Sequence, residues 1–424
     1  MEKISQKINN FINSLDSQKL NNGILVACSG GRDSMVLLDV LVKTLPGMRI
    51  GVLYVNHNLR GDDSVAEESF VKKVITEKYK LPLFFHSVDV KEWQNCGSIE
   101  NKAREIRYNF FYDILEREKY GFIATAHHMN DKIETFFLNL LRGGGLQSLS
   151  SIPSVNHNII RPLLCVTRSQ INDYVEKNAV EYVEDKTNSQ PLYKRNRIRN
   201  EVLPILKTLS GNLEKSFEAI FENLDNDVQF LEEETERRLK DVLFHCTCNV
   251  WCLDKRKLSS EPMAIRSRII KKICYRFNVQ PGRQLTSFVM NAKNIDIKKH
   301  GMNIQSKGSY LWFYPNEIDY NVEFCEETGR YQQGDFAFSQ NVGQLKIRSL
   351  KNADELETAN GRMKIADILK KRGVPEYLTL HAKVFVTENE TIAGYFCFGF
   401  FGVSTQFYAG QNENAKIFNL SQIN

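Results

Sequence analysis

The sequence of 424 residues lacks any hydrophobic run long enough to cross a lipid bilayer. Its most apolar stretch, Ala393–Val403, is short and interrupted by glycines. The segment Met1–Leu15 is polar with one apolar helical stripe, so it is not predicted to be a secretory leader. The 9 cysteines are odd in number and scattered, which argues for a reducing compartment and against a disulfide framework. These absences predict a cytoplasmic protein with no membrane association.

A strong charge imbalance is also missing. The chain has 56 Lys and Arg residues against 51 Asp and Glu, a formal net charge of +5. This mild basic excess permits a nucleic-acid partner without requiring one, so local clusters must decide. With 42% hydrophobic and 25% charged residues, the composition is that of an ordinary globular protein, and the length favours two or three domains.

The glycine-rich loop after the first predicted strand has neither the Gly-x-x-x-x-Gly-Lys-Ser/Thr nor the Gly-x-Gly-x-x-Gly spacing. It reads Ser29-Gly30-Gly31-Arg32-Asp33-Ser34, between the apolar run Gly23–Cys28 and a stretch with helical apolar spacing. Glycines let backbone N–H groups approach a phosphate closely, and a helix N-terminus adds partial positive charge. The pattern predicts a phosphate site, although a tight turn before an ordinary helix has the same outline.

Polar clusters also follow later predicted strands. The run Ile50–Val55 ends before His57 and Arg60, and the run Phe122–Ala126 ends before His127. In an open parallel sheet, ligands bind at the carboxyl ends of the strands, so these residues are predicted to face one crevice with the glycine-rich loop. His57 and Arg60 are equally consistent with a surface turn. Zinc binding by His127 and His128 is disfavoured, because the His-Glu-x-x-His arrangement is absent there.

Asp131 and Glu134 lie at positions i and i+3 of a predicted helix, so both carboxylates share one face. Two carboxylates at the carboxyl end of a strand can hold an ammonium group or take a proton. The helix dipole also favours acidic residues at a helix start without any function.

Basic residues form three groups, each of which has a simpler interpretation as a solvated helix face. The predicted helix Glu100–Lys119 carries Arg104 and Arg107 on one edge. A second group favours contact with a nucleotide or a nucleic acid, because it is rich in Arg and Asn. It comprises Lys194, Arg195, Arg197 and Arg199. The third group, with Lys370 and Lys371, ends the predicted helix Met363–Arg372 and fits either RNA phosphate or the helix's own dipole.

The composition changes after Pro204. A long amphipathic helix with apolar positions from Leu213 to Val242 is predicted to pack against a helix over Pro262–Phe277. The His245–Cys252 stretch is predicted to be a plain strand, since its spacing matches no common zinc site. A hairpin and a β-rich end follow.

The predicted fold class is α/β, with a doubly wound parallel sheet first, a mainly helical middle domain and a small α+β domain last. The predicted domain boundaries are 1–210, 211–325 and 335–424.

Several of these segments together resemble the tRNA(Ile)-lysidine synthetases, which are ATP pyrophosphatases of the PP-loop type. They match in order and spacing over roughly the first half of the chain, and Gly361–Tyr377 resembles that family's C-terminal domain. The His-His-x-x-Asp-x-x-Glu-Thr and Arg-Asn-x-Ile-Arg stretches make the match specific. The matching segments are Ser29–Ser34, Val55–Arg60, Ala103–Tyr108, His127–Thr135, Arg142–Gly145, Arg161–Leu164, Glu184–Asn188 and Arg195–Pro204.

The resemblance implies ATP, Mg²⁺, free L-lysine and a tRNA(Ile) with a CAU anticodon, with lysine joined to the wobble cytidine through an adenylated intermediate. It implies that Ser29–Ser34, with His57 and Arg60, binds ATP and that Asp33 positions the metal. The implied lysine site comprises Arg107, Asp131 and Glu134. The implied catalytic residues are Asp33, Asp131 and Arg199. The implied tRNA contacts are Lys194, Arg195, Arg197, Lys370 and Lys371.

The sequence departs from the family pattern in one place, and two other functions are alternatives to the one that the resemblance implies. Where the family usually has an Arg shortly after Val374-Pro375, this chain reads Glu376–His381, so a tRNA contact by that Arg is not carried over. A 2-thiocytidine-forming sulfur transferase would need paired cysteines, and Cys28 and Cys96 are isolated. A non-catalytic RNA-binding module would not need Asp131 and Glu134. The oligomeric state stays open, with a homodimer as one option.

Overall fold

The computed structural model describes residues 2–58, 62–88, 99–184, 194–291, 295–299, 301–318, 324–330, 336–409 and 414–420. The chain forms two compact units, Met1–Val228 and Gln229–Asn424. Among the described residues no helix has the length and apolarity needed to cross a membrane.

The first unit is built on a six-stranded sheet with strand order β3-β2-β1-β4-β6-β5. All neighbouring strands pair in parallel except the edge pair β5–β6. The strand order reverses between β1 and β4, which is where ligands bind in open α/β sheets. The strands are β1 Ile24–Ala27, β2 Ile50–Asn56, β3 Leu83–Ser87, β4 Phe122–Ala124, β5 Val155–Asn156 and β6 Ile159–Ile160.

Helices cover both faces of this sheet because the strand residues are apolar on both sides. Val26 and Val52 belong to a core shared with α1, α3, α4 and α8, and Leu25 and Leu53 face a second core built by α5. The helices are α1 Glu2–Asn13, α2 Ser17–Asn21, α3 Arg32–Thr44, α4 Asp62–Lys73, α5 Ile99–Arg117, α6 Met129–Leu141, α7 Leu146–Leu149, α8 Arg168–Asn178, α9 Lys194–Arg197 and α10 Leu203–Leu209. The predicted doubly wound parallel sheet is confirmed.

A buried carboxylate anchors α3, the helix that follows the glycine-rich loop. Asp39 is 4% exposed and accepts hydrogen bonds from the Tyr79 hydroxyl at 2.9 Å and the Tyr174 hydroxyl at 2.8 Å. Lys43 pairs with the same carboxylate at 2.7 Å. Burial raises the pKa of both tyrosines, so both hydroxyls keep their protons and remain donors. Tyr174 belongs to α8, so this cluster ties α3 to α8.

A 30-residue helix, α11 Leu213–Val242, begins in the first unit and ends in the second. Its first turns pack Phe217 and Phe221 edge-on against Phe136 of α6. Its last turns place Leu239 and Val242 in a core of the second unit. The predicted long amphipathic helix is confirmed. The three-domain division remains a prediction.

Antiparallel sheets dominate the second unit. In its described part, a five-stranded sheet has the order β7-β8-β11-β10-β9, a four-stranded sheet the order β14-β17-β18-β19, and smaller sheets hold β12-β20-β13 and β15-β16. The strands are β7 Leu243–Thr247, β8 Val250–Asp254, β9 Asp296–Lys299, β10 Met302–Lys307, β11 Tyr310–Pro315, β12 Phe324–Arg330, β13 Ala337–Ser339, β14 Leu345–Ser349, β15 Glu355–Thr358, β16 Gly361–Lys364, β17 Lys383–Thr387, β18 Ile392–Cys397, β19 Phe400–Val403 and β20 Asn414–Leu420.

The helices of this unit are α12 Lys255–Ser260, α13 Met263–Arg276, α14 Arg283–Asn291, α15 Ile365–Lys371 and α16 Glu376–Thr379. The predicted helix over 262–277 and the hairpin β10–β11 are confirmed. The stretch His245–Cys252 is not the single strand predicted, because the chain turns at Cys248 and Asn249. Strands β7 and β8 pair with each other and β8 also pairs with β11, so the middle region contains more sheet than expected. The basic helix starts at Ile365, two residues later than predicted, because Gly361–Lys364 pairs as a strand.

Candidate active site

A cleft of about 720 Å³ lies at the carboxyl ends of the parallel strands. The glycine-rich loop after β1, the end of β2 and the segment between β4 and α6 all line it, as does the start of α8. The cleft brings together eight of the residues expected at the site. These are Ser29, Gly31, Arg32, Asp33, Ser34, His57, Arg107 and Asp131.

The loop is shaped by its own glycine and serine residues. Gly30 has a φ of +78°, and a Cβ there would lie 2.8 Å from Val71 Cγ2, so a side chain would be strained and obstructed. Ser34 is buried, and its hydroxyl accepts from the Ser29 N–H at 3.2 Å and donates to the Gly31 carbonyl at 2.8 Å. Ser34 therefore braces the loop from within, at the N-terminus of α3 where an anion is favoured.

Asp33 is held by an arginine from another part of the chain. Arg168, the first residue of α8, donates from Nη1 to both Asp33 oxygens at 2.6 Å. The Asp33 side chain remains 29% exposed to the cleft. His128 Nε2 lies 3.7 Å from the same carboxylate and 3.6 Å from Asp131. His128 Nε2 is therefore close to both the Asp33 and the Asp131 carboxylates.

Arg32, also in the loop, is held by the cleft wall. Its guanidinium donates to Asn172 Oδ1 at 2.9 Å and to the Tyr182 hydroxyl at 3.1 Å, and it lies 4.8 Å from the centre of the Tyr182 ring. The neighbouring Val183 N–H donates to the Gly30 carbonyl at 2.9 Å. Arg32 and Gly30 thus fasten the Tyr182–Glu184 wall to the loop.

The acidic and basic clusters predicted on α6 and on the Lys194–Arg199 stretch meet in one network. Arg195 donates to Asp131 Oδ1 from Nη2 and to Glu134 Oε2 from Nε, both at 2.7 Å. Arg199 donates to Glu134 Oε1 from Nε at 2.6 Å and to Oε2 from Nη2 at 3.0 Å. Glu134 is 1% exposed, so its carboxylate is enclosed by the two guanidinium groups. Glu134 lies behind the cleft surface, whereas Asp131 lines it.

The environment of Asp131 keeps it ionised. Burial alone would raise its pKa, but His128, Arg195 and a hydrogen bond from the His128 backbone N–H at 3.0 Å outweigh burial and lower the pKa. Asp131 is therefore an acceptor and a negative charge at neutral pH.

In two cleft histidines, by contrast, burial is the dominant effect on the pKa and keeps the ring neutral. Burial, followed by the charges of Arg107 and His86, lowers the pKa of His57 to about 4, and its Nε2 lies 3.3 Å from Arg107 Nη2. Burial likewise lowers the pKa of His127 to about 4, while Thr125 Oγ1 lies 3.0 Å from its Nδ1. Burial also lowers the pKa of Arg107.

The remaining expected residues lie elsewhere. Lys194 and Arg197 are exposed, and Arg197 pairs with Glu201 one turn on at 3.1 Å. Arg60 lies outside the described residues, as does Cys96. Cys28 is buried, and burial raises the pKa of its thiol. In the second unit, Lys370 and Lys371 line a groove of about 590 Å³ with Arg362 and Lys364, which we call the basic groove.

Sequence reasoning missed Arg168. It assigned no role to this residue, which is the first of α8. A signal was available, because a cation in the first turn opposes the helix dipole and requires a compensating anion. Arg104 and Tyr182 line the cleft as well and had no assigned role.

The parallel sheet, the glycine-rich loop at its switch point and the charged cleft define a PP-loop ATPase, and residues 1–206 match the PP-loop domain family. The chain is 33% identical to a tRNA(Ile)-lysidine synthase of Petrotoga mobilis over 73% of this chain and 98% of that protein. It is 32% identical to the same-named protein of Clostridium perfringens strain 13, over 64% of this chain and 59% of that protein. The chain therefore belongs to the tRNA(Ile)-lysidine synthase family, as an enzyme of tRNA modification built on a PP-loop ATPase domain.

Among solved structures, a U34-tRNA thiolase from Methanococcus maripaludis aligns with 53% of this chain and 78% of its own, at 17% identity and a TM-score of 0.44. This similarity is too low to support an inference about function.

Proposed function

We propose that the enzyme uses ATP to ligate L-lysine to C2 of the wobble cytidine of a CAU-anticodon tRNA(Ile), which changes the codon read from AUG to AUA. Family membership supports the substrate class. The observation that carries the proposal is the placement of Asp131 in the same cleft as the phosphate loop, with His128 Nε2 at 3.6 Å from Asp131 and 3.7 Å from Asp33. One cleft can then activate a base and present an amine to it.

In the first step, the cytidine O2 attacks the α-phosphate of ATP, an O–P bond forms, and pyrophosphate leaves. The backbone of Ser29–Ser34 and the start of α3 receive the pyrophosphate charge. Mg²⁺ in proteins is commonly held by one or two carboxylates together with substrate phosphates, and Asp33 offers one partly exposed carboxylate at the loop. The residues fit the metal, which would neutralise phosphate charge when bound.

In the second step, the lysine ε-amine attacks C2, a C–N bond forms, and the C2–O bond breaks as AMP leaves. A free lysine side chain has a pKa of about 10.4, so it arrives as an ammonium ion and must lose two protons overall. Asp131 is ionised and lines the cleft, so it can hold the ammonium, orient it toward C2 and accept one of the two protons, while the other passes to solvent. Arg107 offers a cation for the lysine carboxylate.

We propose a positioning role for Glu134. Both of its oxygens accept from Arg195 and Arg199, and it is 1% exposed. In this arrangement it serves lysine binding through the arginines that it holds, since removing it would take away both hydrogen bonds of Arg199 to a carboxylate and one of the two made by Arg195. Arg199 then stabilises phosphate charge, and Arg195 extends from Asp131 toward the solvent edge, where the anticodon loop can reach it.

For tRNA contacts outside the cleft, we propose the exposed Lys194 and Arg197 together with Lys370 and Lys371. Lysines and arginines on a surface bind phosphates without reading sequence, so these four would supply affinity. ATP, lysine and tRNA(Ile) are the proposed substrates, and the option of a homodimer remains a prediction.

The test is lysine incorporation by the full chain across a panel of unmodified tRNA transcripts, with ATP and Mg²⁺. We expect radiolabelled lysine in the CAU-anticodon tRNA(Ile) and none in a tRNA(Met) that shares the anticodon. Pyrophosphate release without lysine incorporation, or incorporation that does not require ATP, would contradict the proposal.

A further inference from the structure

Arg168 is placed where a helix disfavours a cation. It is the first residue of α8, and the partial positive charge of a helix N-terminus opposes a guanidinium there. In the present arrangement Asp33 offsets that cost, since Arg168 Nη1 lies 2.6 Å from both Asp33 oxygens. The position is nevertheless tightly fixed. The Arg168 backbone N–H donates to Asn130 Oδ1 at 3.0 Å, and Thr167 and Gln170 form a capping box around it.

Arg168 is paired with Asp33, the carboxylate that the proposed function assigns to the metal. Both Asp33 oxygens accept from Arg168, and a divalent cation at those oxygens would meet a guanidinium at hydrogen-bond distance. Like charges that close repel strongly in a cleft of reduced dielectric. A metal bound at Asp33 would therefore displace Arg168 from that carboxylate.

The displaced guanidinium stays beside the phosphate loop. Its backbone is anchored, and its side chain lines the cleft and is 41% exposed. The nearest acceptors that the reaction supplies are phosphate oxygens, to which arginine binds with two parallel hydrogen bonds.

We propose that Arg168 is a pyrophosphate-binding residue that exchanges Asp33 for the β- and γ-phosphates when the nucleotide binds. This inference rests on the proposed function, which assigns the loop to pyrophosphate. A different role would be purely supportive, with Arg168 orienting Asp33 toward the metal and never touching phosphate. The two roles predict different pyrophosphate binding when the metal is absent, because a residue that only orients a metal ligand does not affect binding without the metal.

The experiment measures binding of inorganic pyrophosphate to the full chain by titration calorimetry, in EDTA and in Mg²⁺. The variants are Arg168→Met, which removes the charge, and Arg168→Lys, which keeps it but cannot form a bidentate contact. The matched control is Arg104→Met, since Arg104 also lines the cleft but contacts the Tyr108 ring at 4.6 Å. Thermal melting of each variant checks that it is folded.

We expect Arg168→Met to weaken pyrophosphate binding by about tenfold to a hundredfold in both buffers, as for loss of hydrogen bonds to a charged group. The pyrophosphate affinity of Arg168→Lys should lie between those of Arg168→Met and the wild type. Arg104→Met should weaken binding by less than about threefold, because it only reduces the overall positive charge of the cleft. In EDTA, Asp33→Asn should bind pyrophosphate more tightly than the wild type, and most of that gain should vanish in Asp33→Asn/Arg168→Met.

A loss confined to Mg²⁺ would overturn the inference in favour of the supportive role. Equal losses in Arg168→Met and Arg104→Met would also overturn it. If the wild type binds pyrophosphate in neither buffer, the proposed assignment of the loop to pyrophosphate is contradicted. Failure of the Arg168 inference alone is distinguishable, because the wild type then still binds pyrophosphate.

Discussion

The cleft of the first unit and the basic groove of the second are both rich in cations, but their charges are arranged in different ways. In the cleft, Arg168 and Arg195 each donate to a carboxylate at 2.7 Å or less. In the groove, four cations accompany only Glu355 and Asp367, and in the described part of the chain none of the four has a carboxylate within ion-pair distance.

The difference separates two uses of positive charge. An arginine held by two carboxylates at once, as Arg195 is by Asp131 and Glu134, has a fixed position, which is what a reacting group needs. An exposed lysine without a partner has a mobile head and an uncompensated field, which attracts a polyanion from a distance. Chemistry is therefore expected to depend on the cleft pairs, and tRNA affinity on the groove.

The largest effect is expected for Asp33→Ala. Loss of the loop carboxylate removes the protein's contribution to the metal, so pyrophosphate release with cognate tRNA should be abolished. The readout is ATP-dependent pyrophosphate release. Asp173→Ala is the matched control, because Asp173 is an exposed carboxylate on α8. This variant should release pyrophosphate at the wild-type rate. Near-normal release by Asp33→Ala would show that the loop is only structural.

Asp131→Asn tests the second step alone. The substitution keeps the shape and removes the charge that we propose to hold the amine, so lysine transfer should slow by about 10²–10⁴-fold. Adenylation should be much less affected, and tRNA carrying AMP on cytidine should accumulate in quenched and digested samples. Equal slowing of both steps would identify Asp131 as a metal or ATP ligand.

A smaller effect, on affinity rather than rate, is expected from the basic groove. Lys370→Ala/Lys371→Ala should weaken tRNA binding, and the slope of log K against log salt should decrease by about 1.4–1.8 if both lysines contact phosphate. Lys346→Ala/Lys351→Ala removes two exposed lysines of the same unit outside the groove. An identical change in this control pair would mean that the groove has no special role, and lysine transfer at saturating tRNA should be unchanged in both.

The smallest effect concerns a buried histidine of the second unit. Burial lowers the pKa of His245 to about 4, and its Nε2 is buried without a hydrogen-bond partner among the described residues. The unfolded chain binds this proton near pH 6.5, so the contribution is complete above pH 6.5 and is lost as pH falls toward 4, at most about 3 kcal/mol. His245→Leu should flatten the decline in Tm over that range. A parallel decline in wild type and variant would contradict this, since His57 and His127 would then account for it.

Local sequence patterns predicted the elements of the site but not their pairing. The strand, the glycine-rich loop and α3 follow from spacing within 25 residues, and the shared face of Asp131 and Glu134 follows from helical geometry. The contact between Asp33 and Arg168 joins residues 135 positions apart, and no periodic pattern encodes it. The only local sign was the cation at a helix start.

Burial of Glu134 was also beyond local reasoning. A helix wheel places Glu134 beside Asp131, but only the tertiary position of Arg195 and Arg199 encloses one carboxylate and leaves the other in the cleft. In the second unit, the single strand predicted over His245–Cys252 is wrong, because the chain turns at Cys248 and Asn249 and β7 pairs with β8. Strand β7 is half-exposed and alternates only weakly between apolar and polar residues, so the local pattern does not mark where it ends.

The Asp39 cluster has a consequence for how variants of this enzyme will be interpreted. Asp39 connects α3, whose first turn forms the phosphate loop, with α8, whose first residue is Arg168. Both halves of the proposed phosphate site are thus anchored by one carboxylate, Asp39, which is buried in the core and does not line the cleft. A random-mutagenesis screen scored by activity should therefore recover Asp39, Tyr79 and Tyr174 as frequently as true ligand-binding residues. Only a folding measurement beside the activity assay will separate a misaligned scaffold from a lost contact.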